Sequence, residues 1–187
     1  MLTAEMIERA KPILFNTEMV EAILCRGKTQ TRRIAKGLPK FAVGDVLYVR
    51  ETWCFIPCIE CANSDVCVRD AIVYEDADSI SSGCFTYRAG YGGDRLTWRP
   101  SIHMPKCAAR IFLEITNVRT ERLQNITPIE CVREGADAEA ITAVGDDFVR
   151  GMFADIWDCT VPKEQRAVYG WDANPTVDVY EFRVLMK

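Results

Sequence analysis

The stretch from Gly27 to Arg33, which reads Gly-Lys-Thr-Gln-Thr-Arg-Arg, concentrates side chains that are able to do chemistry. It holds the amine of Lys28, the hydroxyl of Thr31 and the guanidinium groups of Arg32 and Arg33. A threonine hydroxyl becomes a nucleophile only when a base removes its proton, and lysine is such a base only when burial or nearby cations lower its pKa. Arg32 and Arg33 supply such cations, and both are also candidate residues for binding the ligand. The alternative interpretation is a solvated basic loop.

The first element that must position this stretch is an amphipathic helix. Apolar side chains recur at helical spacing between Glu18 and Arg26, so we predict a helix there, with Asn16 or Thr17 as its N-cap. Gly27 is predicted to end that helix in the left-handed conformation. The reactive stretch would then leave the helix end as an extended segment.

A second short helix supplies a carboxylate. Thr127-Pro128-Ile129-Glu130 combines an N-cap, a proline at the first helical position and a glutamate three residues after the cap, so we predict a helix start there and an end near Gly135. Glu134 would hold the lysine amine or deliver a proton. About a hundred residues separate it from Lys28, so spacing alone does not bring the two together.

The remaining pattern predicts an α+β fold. Strands are predicted at Lys11–Phe15, Val46–Arg50, Cys107–Val118 with a continuation to Leu123, and Val177–Val184, and a helix at Asp146–Trp157 with Phe148, Met152, Phe153 and Ile156 on one face. No repeating β-α-β unit occurs, which favours a mostly antiparallel sheet curled into a small β-barrel with flanking short helices. We predict a single domain over residues 1–187, with a cysteine-rich insertion at about 54–95.

Composition excludes several classes of protein. The chain has 187 residues, a net charge of −4 and a pI near 5.2, so no electrostatic case exists for binding long duplex DNA. No apolar run reaches the ~20 residues needed to span a bilayer, and the acidic N-terminus lacks the layout of a signal peptide. We therefore expect a cytoplasmic protein (host cytoplasm if phage-encoded) without a membrane partner.

Aromatic side chains beside polar groups predict contacts to nucleic-acid bases, because aromatic rings stack on splayed bases and polar groups read their edges. The candidate binding residues outside the opening stretch are Arg50, Glu51, Trp53, Trp98, Arg99, Ser101, His103, Trp171 and Asn174. The alternative is that the tryptophans fill the ends of a small barrel. His103, the single histidine, has a packed, hydrogen-bonded role as its alternative.

The cysteine cluster predicts a structural zinc site in the insertion. Cys58 and Cys61 form a C-x2-C pair, and Cys67 and Cys84 complete a ligand set, with Cys54 as the alternative fourth ligand. An irregular, polar insertion lacks a core and gains stability from a metal. The other interpretation is ordinary reduced thiols, since nine cysteines without a secretory signal argue against a disulfide framework.

Several motifs together resemble those of the ASCH family, which shares a PUA-like β-barrel associated with RNA and modified nucleosides. They are the stretch 27–33, Val43-Gly44-Asp45-Val46-Leu47, Ile126-Thr127 leading to Glu134, and the last strand with Glu181-Phe182. The segments 50–53, 98–105 and 171–175 resemble those of the larger ASCH proteins typical of phages and prophages. The resemblance covers residues ~11–53 and ~96–187 and is absent from the cysteine-rich middle.

The resemblance implies roles for three residues. A small bacterial ASCH enzyme, the N4-acetylcytidine amidohydrolase, uses lysine, threonine and glutamate, and its motif lays these on Lys28 as base, Thr31 as nucleophile and Glu134 as the orienting or proton-donating group. A nucleoside or single-stranded RNA would be the ligand, and catalysis would need no cofactor. Other relatives are similar to ribonucleases or RNA-binding modules. Deacylation of a modified nucleoside, non-catalytic RNA or modified-base binding, and RNA cleavage therefore stay open, as does the oligomeric state.

Overall fold

The computed structural model describes residues 2–25, 27–57, 72–76, 79–91, 95–136 and 145–186. The chain forms helices and strands in the order α1 (Ala4–Arg9), β1 (Lys11–Leu14), α2 (Thr17–Leu24), β2 (Gln30–Ile34), β3 (Val46–Arg50), β4 (Trp53–Pro57), β5 (Ile72–Asp76), β6 (Ser79–Tyr87), β7 (Ile111–Arg122), α3 (Pro128–Arg133), α4 (Asp146–Thr160), α5 (Arg166–Tyr169) and β8 (Thr176–Met186). This mixture of segregated helices and strands confirms the predicted α+β class. In these ranges no helix is both long and apolar enough to cross a bilayer.

The main sheet has five strands in the order β1-β3-β7-β8-β2. Only the β1–β3 pair is parallel, which confirms a mostly antiparallel sheet. A second, three-stranded sheet has the order β4-β6-β5. Within the described ranges no strand pairing joins the two edges β1 and β2, so backbone hydrogen bonds do not close the predicted barrel there. A side chain spans this seam instead: Arg33 Nη2 donates to the Leu14 carbonyl at 2.8 Å.

Strand β8 separates two apolar cores, because successive side chains of a strand point to opposite faces. Tyr180 and Phe182 belong to a core shared with α2 and β3, whereas Val177 and Val179 belong to a core shared with α3 and α4. Strand β2 pairs with β8 at the edge of the sheet and lies between the same two layers. As a result its polar residues at positions 30–32 are all buried.

Helix α2, which precedes the stretch 27–33, has Asn16 as its N-cap, and the Asn16 side chain accepts a hydrogen bond from the Met19 amide at 2.9 Å. The prediction for Gly27 is wrong, because its φ is not positive. The amides of Gly27 and Lys28 both donate to the Ala22 carbonyl at 3.0 Å. The chain therefore leaves the helix without a left-handed residue at position 27.

The two later helices agree with the prediction in their starting points. In α3 the Glu130 carboxylate accepts from the Thr127 amide at 2.9 Å, as a capping box requires. In α4 the residues buried at helical spacing are Val149, Phe153 and Trp157. Phe148, which the pattern places on the same face as Phe153, is 53% exposed, so it does not share the buried face of α4.

Candidate functional site

Lys28, Thr31 and Glu134 line one small chamber with a volume of about 60 Å³. Lys28 lies between α2 and β2, Thr31 lies on β2, and Glu134 caps the C-terminus of α3. The Thr29 amide donates to the Arg133 carbonyl at 2.8 Å, which ties the start of β2 to the end of α3. Tertiary structure thus brings together the three residues that the sequence placed about a hundred positions apart.

The Lys28 amine is held by Glu134 through two contacts. Its Nζ donates to the Glu134 backbone carbonyl at 2.6 Å and to the carboxylate Oε2 at 2.9 Å. The side chains are 2% and 6% exposed. A neutral lysine amine has two N–H donors and one lone pair. When both N–H donors of the neutral amine bind Glu134, the remaining tetrahedral position at Nζ is occupied by the lone pair.

Burial lowers the pKa of Lys28 below its ordinary value of 10.5, because a desolvated ammonium is unfavourable. The carboxylate of Glu134 opposes this shift, whereas Arg33 and Arg32 add to it by charge repulsion. A lower pKa increases the neutral fraction of the amine near neutral pH. The amine is thereby better suited to accept a proton.

The second carboxylate oxygen of Glu134 is held by an arginine. Arg32 Nη1 donates to Oε1 at 3.0 Å, and Arg32 Nη2 donates to Glu121 at 2.6 Å and lies 3.4 Å from Glu130. Arg119 continues this network, pairing with Glu121 at 3.1 Å and contacting Glu130. Glu134 therefore has both oxygens engaged, and its carboxylate plane is fixed.

Thr31 contributes the hydroxyl that faces this arrangement. Its residue is 3% exposed and lines the same chamber as Lys28. With respect to the residues that the structure describes, its hydroxyl makes no hydrogen bond. It is accordingly not committed to a structural partner.

A larger cleft of about 560 Å³ lies between the edge strands β1 and β2. Its walls include the rings of Phe41 and Tyr180, and Arg33 lines both this cleft and the small chamber. The Arg33 guanidinium lies 5.1 Å from the centre of the Phe15 ring. Further cations and an anion complete the lining of the cleft: Lys36, Lys40, Arg50 and Asp178.

Glu51 and Trp53 line neither cavity. Glu51 is 1% exposed and accepts two hydrogen bonds from Arg110, at 2.9 and 2.8 Å. Burial raises the pKa of Glu51, although Arg110 opposes that shift. Trp53 is 1% exposed and packs in a third core with Phe85, and Arg99 lies over its ring at 5.2 Å. The ring of Trp53 is thus not open to a base in this structure.

Among the predicted binding residues outside the stretch 27–33, Arg50 lines the cleft. Its Nε donates to the Met104 carbonyl at 3.0 Å, and its Nη2 donates to the Ile102 carbonyl, so it also supports the turn at Ser101–His103. His103 is exposed and Ser101 is half-buried. Neither belongs to the lining of the chamber or of the cleft.

The other predicted binding residues lie away from the chamber. Trp98 packs edge-to-face against Tyr91 with ring centres 5.4 Å apart. Trp171 packs against Phe153 on the far side of the α4 core. Asn174 has a left-handed φ of 46°, and its side chain accepts from the Gln124 amide at 2.9 Å, so it shapes a turn.

Sequence reasoning missed several residues that line the cavities, among them Phe15, Asp178 and Tyr180. Asp178 was the available signal, because it is a charged residue on the face of the closing strand that carries Tyr180 and Phe182. It is 3% exposed and accepts from the Thr120 hydroxyl at 2.8 Å. Tyr180 accepts from the Lys40 amide at 2.9 Å and so anchors the loop that borders the cleft.

Most of the predicted zinc ligands lie outside the described residues, namely Cys58, Cys61 and Cys67. Cys84 lies on β6 opposite Ile56 of β4. In the part of the chain that the structure describes, no group of three metal-ligating side chains is present. The zinc site stays a prediction.

Comparison with known proteins gives a weak similarity to a solved structure. No protein-family model matches the sequence, and no curated protein matches it. The chain is similar to a solved structure of an ASCH domain from Lactobacillus crispatus JV V101, with 13% sequence identity and a TM-score of 0.42, over 100% of this chain and 87% of that one.

Proposed function

We propose that the protein hydrolyses the amide bond of an acylated nucleobase, such as that of N4-acetylcytidine. Thr31 would be the nucleophile, Lys28 the base and Glu134 the residue that orients the lysine. One observation carries the proposal: a buried amine, with its donors directed to Glu134, lines the same chamber as an uncommitted threonine hydroxyl.

The reaction would run in two stages. In the first, Lys28 removes the hydroxyl proton, Thr31 Oγ1 bonds to the acyl carbon, and the bond from that carbon to the exocyclic nitrogen breaks as Lys28 returns the proton to the leaving amine. In the second, Lys28 takes a proton from water, the hydroxide attacks the ester, and Thr31 leaves with that proton. Glu134 holds the amine of Lys28 in both stages.

Cavity size supports a division of the substrate between the two cavities. An apolar cavity of about 150 Å³ takes up one benzene molecule, so the 60 Å³ chamber is too small for a pyrimidine ring. It has room for a small acyl group. The base and sugar would lie in the 560 Å³ cleft, against Phe41 and Tyr180.

The charges of the cleft favour a ligand with phosphates. Lys36, Lys40 and Arg50 line it together with Arg33, against the single carboxylate of Asp178. Cations in such a groove attract the backbone of a single strand. This supports a nucleoside within single-stranded RNA as a substrate beside the free nucleoside.

A non-catalytic reader of a modified base is the second candidate. It is favoured by the ion pair of Lys28 with Glu134, and by the lack of a hydrogen bond between Lys28 and Thr31 in the described structure. Such a reader would use the same cleft and turn over nothing. RNA cleavage is the third candidate, which the basic cleft also accommodates.

The test is turnover of N4-acetylcytidine, free and within a short RNA, measured by chromatography of the released cytidine. Thr31→Ala is expected to reduce kcat/KM at least ~100-fold, because it removes the nucleophile. Thr29→Ala is the matched control, since Thr29 lies in the same stretch but is exposed. It is expected to change kcat/KM less than about twofold.

Each other outcome has a defined meaning. A Thr31→Ala variant as fast as the wild type overturns the assignment of the nucleophile. Binding of the RNA by the wild type with no released cytidine favours the reader. Shortened RNA on a denaturing gel, abolished by Lys28→Ala, favours the ribonuclease.

A further inference from the structure

The consecutive arginines Arg32 and Arg33 face opposite sides of β2, because a strand alternates its side chains. Arg33 is exposed and lines both cavities. The side chain of Arg32 is 0% exposed and has carboxylates as its partners. The two arginines therefore differ in access to a ligand, although the sequence treats them alike.

We propose that Arg32 is a positioning residue that acts on Lys28 through Glu134. Arg32 holds carboxylate oxygen Oε1, and Lys28 holds Oε2. With Arg32 in place, Glu134 cannot turn its carboxylate away from the amine, and its negative charge is shared between two cations. Lys28 is then able to lose its proton without leaving Glu134 as an isolated buried charge.

The surroundings of Lys28 allow this effect to be isolated. Among the described residues that line the chamber, the charged groups facing Lys28 are Glu134 from the end of α3 and Arg32 and Arg33 from β2. The lining residues from α2 and α4, and Phe15 directly after β1, carry no charge. Arg33 and Arg32 both repel Lys28 directly. In the described residues Arg32 also contacts the Glu134 carboxylate, at 3.0 Å, and Arg33 does not, so Arg32 alone of the two has the carboxylate as an intermediary.

The network behind Arg32 fixes its own position. Glu121 accepts from Arg32 Nη2 at 2.6 Å and is paired through its other oxygen with Arg119. Arg119 in turn lies 2.5 Å from Glu181 of β8. The guanidinium of Arg32 is thus anchored to β7 and β8 through Glu121 and Arg119. Arg32 is therefore a rigid support for Glu134.

The experiment measures the pKa of Lys28 directly by NMR titration of the full chain, labelled with ¹³C at lysine Cε. The Lys28 signal is assigned as the one that is absent from a Lys28→Met variant. Arg32→Gln is expected to raise this pKa by about one unit or more, since Lys28 becomes the only cation on the carboxylate. Arg32→Lys restores a charge and is expected to keep the pKa closer to the wild-type value. Arg183→Gln is the matched control, with a shift below about 0.3 units, since Arg183 pairs with Glu114 on the surface and not with the network that holds Arg32.

A double variant separates positioning from simple repulsion. In a Glu134→Gln background the effect of Arg32→Gln on the pKa of Lys28 is expected to fall by at least about half, because the carboxylate that connects them is gone. The effect of Arg33→Gln is expected to persist in that background. An Arg32 effect of unchanged size there, or no shift of Lys28 in the single variant, overturns the proposal. If Arg32→Gln does not fold, Arg32→Gln combined with Glu121→Gln removes the stranded acid and gives the same measurement.

The inference rests on the proposed function only in describing Lys28 as a base. If turnover exists, Arg32→Gln is expected to move the ascending limb of the kcat/KM–pH profile to higher pH and to change KM less than about twofold. If no nucleoside is hydrolysed but the NMR cycle gives the expected coupling, the proposed function fails and the role of Arg32 stands.

Discussion

Replacing Glu134 with glutamine is predicted to destabilise the fold strongly near neutral pH. Glu134 is 6% exposed and neutralises Lys28, which is 2% exposed. Breaking a buried ion pair by removing one partner costs about 3–5 kcal/mol. The loss has an upper limit, because Lys28 in the variant is able to give up its proton. Deprotonation costs about 1.4 kcal/mol for each pH unit below the pKa of lysine in the unfolded chain, and so about 5 kcal/mol at pH 7. We expect a loss of about 3–4 kcal/mol at pH 7, equivalent to roughly 10 °C in Tm for a chain of this size.

The pH dependence is the specific signature of this mechanism. The pKa of Lys28 in the folded protein lies below 10.5, and glutamine at position 134 removes the group that raises it. The unfolded chain then binds more protons than the folded one, so stability rises with pH, and it rises further for the variant. The difference between variant and wild type is expected to shrink as the pH increases from 6 to 9.5.

Urea unfolding followed by tryptophan fluorescence, repeated across that pH range, measures the difference. Glu114→Gln is the matched control, because Glu114 pairs with Arg183 at 2.6 Å on the surface, with 23% and 65% of the side chains exposed. That variant is expected to lose at most about 1 kcal/mol, with no trend over the range. A Glu134→Gln variant within 1 kcal/mol of wild type at pH 7, or a loss that grows with pH, would refute the reasoning.

Two further predictions concern the surroundings of the site. Gly135→Ala is expected to lower the free energy of unfolding by about 1–3 kcal/mol in urea titrations, because φ at this position is +107° and the new Cβ would lie 3.1 Å from the Cβ of Ala22. Gly27→Ala is the control, since φ at Gly27 is not positive and the nearest atom to its new Cβ, the Ala22 carbonyl oxygen, is 3.7 Å away. The control is expected to change the free energy of unfolding by less than about 1 kcal/mol. Burial raises the pKa of the Cys131 thiol to about 11, so at pH 8 Cys131 is expected to react with a maleimide at least ~100-fold more slowly than the exposed Cys107. Equal labelling of both cysteines in peptide mass spectra would contradict this.

Local signals in the sequence were sufficient for most elements. Asn16 and the segment Thr127–Glu130 mark helix starts by side-chain caps, and these depend only on neighbouring residues. The error at Gly27 arose because the Ala22 carbonyl accepts two amides, a closure that the sequence pattern does not specify. The error at Phe148 arose because the α4 face is chosen by the partners it packs against.

The binding candidates show where local chemistry is insufficient. Trp53 and Glu51 have the residue types of a base-binding surface, but the smaller sheet and Arg110 cover them. Burial depends on which elements pack over a residue, and these lie far away in the chain. The cleft was missed for the same reason, since Asp178 and Arg33 become neighbours only when β8 pairs with β2.

The sequence by itself determined the α+β class, the positions of four strands of the main sheet (β1, β3, β7 and β8), and Lys28 and Thr31 as residues able to do chemistry. Only the tertiary structure decided that Lys28 meets Glu134 across 106 positions of sequence, and that Arg32 is buried while Arg33 is exposed. The physical reason is that a motif specifies side chains and spacing, whereas burial and ion pairing depend on long-range packing. That packing is also what lowers the pKa of Lys28, the property on which the proposed chemistry depends.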